Sequence, residues 1–169
     1  MLTERLSLRR PVPADIDAIL RLHRDPVACA HNPADMISTR AEAVDRYRRW
    51  DRHWTEHGFG YWAVCNRNGD LLGFCGLKVM LLRERPVLNL FYRLDPAAWG
   101  NGIATEAATA VVAWALARRP PIGLPVAARV RPANVASARV AERAGLHRTP
   151  GLDVTGEDGP DWIYTSDGT

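Results

Sequence analysis

The stretch Leu94-Asp95-Pro96-Ala97-Ala98-Trp99-Gly100-Asn101-Gly102-Ile103-Ala104-Thr105-Glu106-Ala107-Ala108 decides how this chain folds. An apolar, strand-like run (Leu88, Leu90, Phe91, Tyr92, Leu94) enters it, and a long alanine-rich helical run leaves it. Between them, Gly100 and Gly102 flank a single residue where the helix should begin. Without Cβ atoms the backbone can turn tightly there and let a ligand come close. The unbonded N–H groups of a first helical turn, at the positive end of the helix dipole, form an anion site. A phosphate-bearing ligand is therefore expected on Trp99 to Thr105. The plainer alternative is a left-handed turn that only starts a helix.

Spacing excludes two common owners of a strand–glycine–helix pattern. A P-loop needs four residues between its glycines, then Gly-Lys and Ser or Thr, which this chain lacks. A dinucleotide fingerprint needs a third glycine where Thr105 stands, and no acidic residue ends a second strand some 20 residues on.

Trp99-Gly-Asn-Gly-Ile-Ala-Thr-Glu-Ala107 resembles the acyl-CoA signature of the GNAT N-acetyltransferases. The tryptophan before the first glycine and the Ala-Thr-Glu-Ala that follows are similar to the RimJ/RimL-like branch. Two more segments match in order. Val130 to Leu146 has the family's strand, Asn-x-x-Ser, helix, Gly-Leu shape, and Thr3 to Arg10 with Pro13-Ala-Asp is similar to the branch's opening strand and helix start. Ala97 departs from the family, which usually has Arg or Gln there; more of the phosphate binding then falls to backbone amides.

The resemblance implies acetyl-CoA as co-substrate and site residues by position. Trp99, Gly100, Asn101, Gly102, Ile103, Ala104 and Thr105 would cradle the phosphates. Tyr92, Arg93 and Leu94 would pair by backbone with the pantetheine arm, one N–H donating to the thioester carbonyl where negative charge grows. Two readings stand for Asn134 and Ser137: a plain helix cap, or an amide holding pantetheine and a hydroxyl protonating the departing thiolate. That acid should contribute modestly, since a thiol of pKa near 8.5 already leaves well. Arg139 and Arg143 can reach the CoA phosphates or stay on an exposed helix face. Asn89 occupies the position where relatives often carry a Glu base, and it cannot accept a proton. An α-amine, with roughly a tenth or more neutral at physiological pH, suits such a site better than a lysine at roughly 0.1%. Glu106 is expected to stabilise its helix start.

The 169 residues, 47% of them hydrophobic, suit a single domain, 1–169, with a sizeable core. A net charge of +3 suits an anionic ligand without the dense Lys/Arg clustering of a nucleic-acid binder. No apolar run is long enough to span a bilayer, and Arg5, Arg9 and Arg10 interrupt any signal-like N-terminus. Cys29, Cys65 and Cys75 are odd in number and lack Cys-x-x-Cys spacing, so neither a disulfide framework nor a zinc knuckle is indicated. A cytoplasmic protein is expected, a monomer or homodimer, with no metal, nucleic acid or membrane partner.

The fold class expected is α+β with a mixed sheet of about six to seven strands and about four helices, the order of a GNAT fold. Its elements are a strand at Arg5–Arg10, a helix from Pro13 stopped by Asp25-Pro26, a loop over Cys29–Ser38, and a helix opened by the Thr39-x-x-Glu42 capping box and ended before Gly58. Then come strands at Phe59–Cys65 and Leu71–Val79 around Asn68-Gly69, a strand at Val87–Leu94, the glycine-led helix to about Ala117, and a Pro-broken connection. A strand at Pro125–Arg131, a helix from Val135 to Ala144 and a last strand at Trp162–Thr165 complete it. The strands at Val87–Leu94 and Pro125–Arg131 would run parallel and splay to admit the acyl chain. His53 and His57 have helical metal spacing but an amphipathic helix explains them as well. One or two rings of Tyr47, Trp50, Trp54, Phe59, Tyr61 and Trp62 are expected to face the acceptor, with His31 and Asp35 as reserve proton carriers.

The expected activity is N-acetylation of a primary amine by direct attack in a ternary complex, since no cysteine lies in the motif segments. The acceptor would be a protein N-terminal α-amine or a small amine such as an antibiotic, toxin or polyamine. The alternative is an acyl-CoA-binding sensor without catalysis.

Overall fold

The structure, a computed structural model, describes residues 1–118 and 123–167. Pro120 and Pro121 of the expected Pro-broken connection lie outside the described residues.

The first strand, β1 (Leu6–Arg9), buries Leu6 and Leu8 on alternate positions, as a half-buried strand must. Pro13 opens a short 3-10 turn that leads into α1 (Ile16–Arg24). Asp15 in that turn is buried, and Arg9 meets its carboxylate with two bonds of 2.7 and 2.8 Å. Helix α2 (Arg40–His57) starts on the expected capping box, with Thr39 accepting from Glu42 N and Glu42 accepting from Thr39 N. Gly58 ends it in the left-handed conformation, φ 74°. The loop between α1 and α2 carries one 3-10 turn at Pro33–Asp35.

Three antiparallel strands follow, β2 (Tyr61–Asn66), β3 (Leu71–Leu82) and β4 (Arg85–Leu94). The β3–β4 hairpin is tighter than expected. Its turn is only Arg83-Glu84, both at positive φ (46° and 65°), and the Arg83 guanidinium pins it to the carbonyls of Gly151 and Asp153. Strand β4 therefore begins two residues before Val87. Pro86 is tolerated inside it because pairing with the next strand starts only at Leu88.

Helix α3 (Ile103–Leu116) leads to β5 (Val126–Val130), then to α4 (Val135–Arg143), β6 (His147–Arg148), β7 (Val154–Gly156) and β8 (Gly159–Thr165). The sheet has eight strands in the order β1-β2-β3-β4-β5-β8-β6, with β7 on β8. The two-residue β6 and three-residue β7 are additions to the expected set, and β8 is longer than Trp162–Thr165. Among the described residues only β4 and β5 run parallel, and only across Leu88–Leu90 with Val126–Ala128. Beyond Leu90 the two strands part.

The sheet separates two apolar layers. Leu88, Leu90 and Leu94 of β4 join Ala107, Val111 and Val112 of α3 and Ala141 of α4 on one face. Ile19 and Leu22 of α1 and Ala43 of α2 pack with Ala63 and Phe74 on the other. No helix among the described residues is long and apolar enough to cross a membrane. The cysteines are all buried and unbridged.

Candidate active site

Two structural features meet where β4 and β5 part. One is the start of α3. Gly100 and Gly102 sit at φ 78° and 75°, the left-handed region that a glycine enters without strain. A Cβ on Gly100 would meet nothing within 4 Å, and one on Gly102 only the tip of Arg5 at 3.5 Å, so the surface above both is open. The helical ladder begins with Glu106 N–H on the Gly102 carbonyl. The N–H groups of Ile103, Ala104 and Thr105 have no acceptor among the described residues. They form an anion cradle of backbone amides, which is what a CoA pyrophosphate requires.

The cradle is braced from both sides. Trp99, 47% exposed, donates its ring N–H to the Leu94 carbonyl at 3.1 Å, and Asn101 donates to the Trp99 carbonyl. Arg5 reaches from ahead of β1 to the Asn101 carbonyl at 2.9 Å and to the Glu106 carboxylate at 2.6 Å; Thr3 donates to the same carboxylate. Burial alone would raise the Glu106 pKa, but these donors hold it below its ordinary value. Glu106 thus does more than favour its own helix start: it ties the N-terminal segment to the cradle.

The second feature is on the same face of the sheet. Asn134 caps α4, its side-chain oxygen accepting Ser137 N–H at 3.0 Å. Ser137 Oγ lies 2.5 Å from the Tyr92 hydroxyl, which is also 3.2 Å from the Ser137 carbonyl. Burial pushes the Tyr92 phenol up to about 12, with the Ser137 bond acting against it. Sequence reasoning gave Tyr92 only a backbone role and missed its phenol; the signal available was β-strand alternation, which puts Tyr92 on the face of Leu88, Leu90 and α4. Past Leu90, Tyr92, Arg93 and Leu94 lie beyond the β4–β5 pairing. Arg139 and Arg143 are exposed on α4, away from any ion pair among the described residues.

The opposite face of β4 opens into a cleft of about 780 Å³ between α2, the α1–α2 loop and the β7–β8 hairpin. Asn89, Trp50, Tyr61 and Phe91 line it, so two rings of the aromatic cluster do face open space. Tyr61 stays protonated because burial, with the Asp35 charge, pushes its phenol up, while the Asn89 amide acts against that from alongside. Asn89 Oδ1 is buried and has no hydrogen-bond donor among the described residues. Asp35 is bound by Arg93 at 2.7 Å and by Arg46 at 3.0 Å. The Arg93 side chain, 3% exposed, is therefore turned to the Asp35 side of β4. His31 is exposed and supplies only its carbonyl, to Arg131.

His53 is a structural residue. Its Nδ1–H donates to the Phe59 carbonyl at 2.8 Å and its Nε2 accepts Val79 N–H at 3.1 Å, joining α2 to β3. Neither nitrogen is free for a metal shared with His57. No group of three or more metal-ligating side chains occurs among the described residues.

The Acetyltransferase (GNAT) domain family matches residues 5–147, most of the chain and both features just described. The chain belongs to the GNAT acetyltransferase family. Its fold is shared by an acetyltransferase from Agrobacterium tumefaciens (26% identical, TM-score 0.80, 98% of this chain and 92% of that one). A putative GNAT-family acetyltransferase from Bordetella pertussis is as similar in structure (21%, TM-score 0.80, covering 98% and 97%). Among curated proteins, the uncharacterized YkkB of Bacillus subtilis is 36% identical over 109 residues, 59% of this chain and 62% of YkkB. The chain thus spans less than two thirds of that relative. Solved structures with the same fold include the aminoglycoside acetyltransferase AAC(6')-Ib with coenzyme A (16%, TM-score 0.74, 95% and 93%). Another is the spermidine N-acetyltransferase of Vibrio cholerae with CoA and spermine (14%, TM-score 0.71, 96% and 95%).

Proposed function

We propose that residues 1–169 form a single GNAT domain that transfers an acetyl group from acetyl-CoA to a primary amine, in the manner of the RimJ/RimL-like branch. The acceptor is an α-amine, of a protein N-terminus or of a smaller molecule, and it attacks directly in a ternary complex in the cytoplasm. The observation that supports this best is the pairing of an open amide cradle on one side of the β4–β5 split with an acceptor-sized cleft on the other.

Acetyl-CoA supplies an acetyl group already activated as a thioester. The chain's own residues supply positioning and charge stabilisation. The amides of Ile103, Ala104 and Thr105 take the pyrophosphate, with Arg139 and Arg143 near enough in the family pattern to add charge. The edge of β4 from Tyr92 to Leu94, lacking a strand partner on the β5 side, is free to pair with the pantetheine arm and to donate an N–H toward the carbonyl.

Tyr92 keeps its proton at working pH and holds the Ser137 hydroxyl by a short hydrogen bond in which either oxygen can donate, while also reaching the Ser137 carbonyl at 3.2 Å. The pair fixes the Ser137 hydroxyl beside the site where thiolate charge must be neutralised. The cleft offers Asn89 where a base would sit, so the amine has to arrive neutral. An α-amine does so far more often than a lysine.

Following thiol release from acetyl-CoA with α-amines and lysine side chains at pH 7 tests this. Release with an α-amine, well above that with a lysine side chain, is expected. Coenzyme A binding with no release for any amine would instead favour the sensor.

A further inference from the structure

Charge in the acceptor cleft is unevenly distributed. On the β7–β8 wall, Arg129 meets Asp161 at 2.5 Å, and Arg131 meets Asp161 at 2.9 Å and Asp158 at 3.7 Å. Glu157 is exposed at the turn of that hairpin. On the opposite wall, Arg46 and Arg49 of α2 and Lys78 of β3 line the cleft with one carboxylate, Asp35, which Arg46 and the buried Arg93 bind. Arg49 and Lys78 have no acidic partner among the described residues. Burial is the main reason Arg46 holds its proton less tightly; Asp35 opposes that, and Arg93 and Arg49 add to it.

Lys78 is the only lysine among 22 basic residues, and it stands directly across from Asn89 on the neighbouring strand. Directly opposed residues in such a pair share a face, with Cβ atoms about 5 Å apart. Asn89 Oδ1, buried and without a donor, is an acceptor awaiting an N–H. The Tyr61 hydroxyl does not supply one: burial raises the phenol's pKa and its hydrogen bond with Asn89 lowers it, so the Asn89 amide N–H is the donor there and Oδ1 is left over. A hydrogen-bond acceptor and an unpaired cation thus sit one side-chain length apart in the same cleft.

Given the acetyltransferase activity proposed above, on which this inference rests, we infer that the acceptor is a primary amine that also carries a carboxylate. Its N–H meets Asn89 Oδ1, and its carboxylate meets Lys78 and Arg49. The amine lone pair forms the N–C bond to the acetyl carbon, the C–S bond breaks, and the proton released from nitrogen ends on the coenzyme A thiol. Polycations are poorly matched to this wall. The chain therefore differs in acceptor class from the relatives whose structures hold spermine or aminoglycosides. Two sources supply the same chemistry: a free amino acid, or the α-amine of a peptide with an acidic residue next to it.

The test compares thiol release from acetyl-CoA with glutamate, with glutamine amide, with a peptide opening Ser-Glu, with its Ser-Gln counterpart, and with spermine. A carboxylate-bearing acceptor is expected to show a KM about tenfold or more below its amide counterpart, with spermine turned over least. Which of glutamate or the Ser-Glu peptide shows that gap identifies the source. Lys78→Ala should erase the gap and Lys78→Arg should keep most of it; coenzyme A affinity by calorimetry verifies that each variant is folded. Preference for spermine, equal KM within each pair, or no turnover of any carboxylate-bearing amine overturns the inference. If coenzyme A itself gives no heat, the acetyltransferase proposal fails first, a result distinct from any of these.

Discussion

The Tyr92 hydroxyl lies 2.5 Å from Ser137 Oγ, joining β4 to the first turn of α4 across 45 residues of sequence. With the Tyr92 phenol pushed up to about 12, its proton stays in place across the physiological range, and the bond orients Ser137 without charging either group. Tyr92→Phe should lower kcat about tenfold, near 1.4 kcal/mol in the barrier, and leave coenzyme A affinity within about threefold. Ser137→Ala should do the same. Because the two act as a unit, the double variant should be little worse than either single one, and full additivity would show separate roles. The pH–rate profile should show no limb from Tyr92 below about pH 11.

Gly102 stands at φ 75° at the mouth of the cradle, where a Cβ would meet only the tip of Arg5, 3.5 Å away. Gly102→Val should cost about 1–2 kcal/mol of folding stability from backbone strain. Its larger effect should be on coenzyme A, with Kd rising at least about tenfold because a side chain there occupies the phosphate's place. Gly102→Asn, tolerated in this conformation, should keep stability while still weakening binding. Calorimetry and thermal melting separate the two effects.

Glu106 links Thr3 and Arg5 to the start of α3. Removing its charge as Glu106→Gln should destabilise the fold by about 1–3 kcal/mol and loosen the cradle. Its pKa is lowered by those partners, so the stabilisation is present above the unfolded value of about 4.3 and is lost as pH falls through the lower native value. Melting curves between pH 3 and 7 should show the wild type losing its advantage over Glu106→Gln at the acidic end.

His23 is fully buried, with Nδ1–H on the Ile19 carbonyl and Nε2 without a hydrogen-bond partner among the described residues. Burial first, then the charges of Arg93 and Arg46, lower its pKa to about 3 from 6.5. The native state therefore binds fewer protons than the unfolded chain between those values. Stability should fall as pH drops from 6.5 toward 3. His23→Gln should flatten the upper part of that fall, and an unchanged slope in a melting series would assign the acid sensitivity elsewhere.

The local features of this fold were legible because local chemistry sets them. The Thr39–Glu42 box, the Gly58 cap, the Asn68-Gly69 hairpin and the alternation in β1 each depend on residues within a few positions of one another. The cradle was legible for the same reason: two glycines and a helix start are contiguous. Strands β6 and β7 were not, since two or three residues carry no period and exist only by pairing with β8. The cleft beside Asn89 was invisible because its contacts are distant in sequence, with Arg93 meeting Asp35 across 58 residues and Arg129 meeting Asp161 across 32. The one available clue was compositional, a solitary lysine in a chain otherwise using arginine. Asn89 was placed by resemblance, and its orphaned oxygen needed coordinates to be seen.

Titrating coenzyme A into the protein by calorimetry tests the central claim, that backbone amides at Ile103 to Thr105 hold the pyrophosphate. One site per chain with a micromolar Kd, weakened at least about tenfold in Gly102→Val, is the predicted result. No heat at millimolar coenzyme A, or equal affinity in the folded variant, would contradict it.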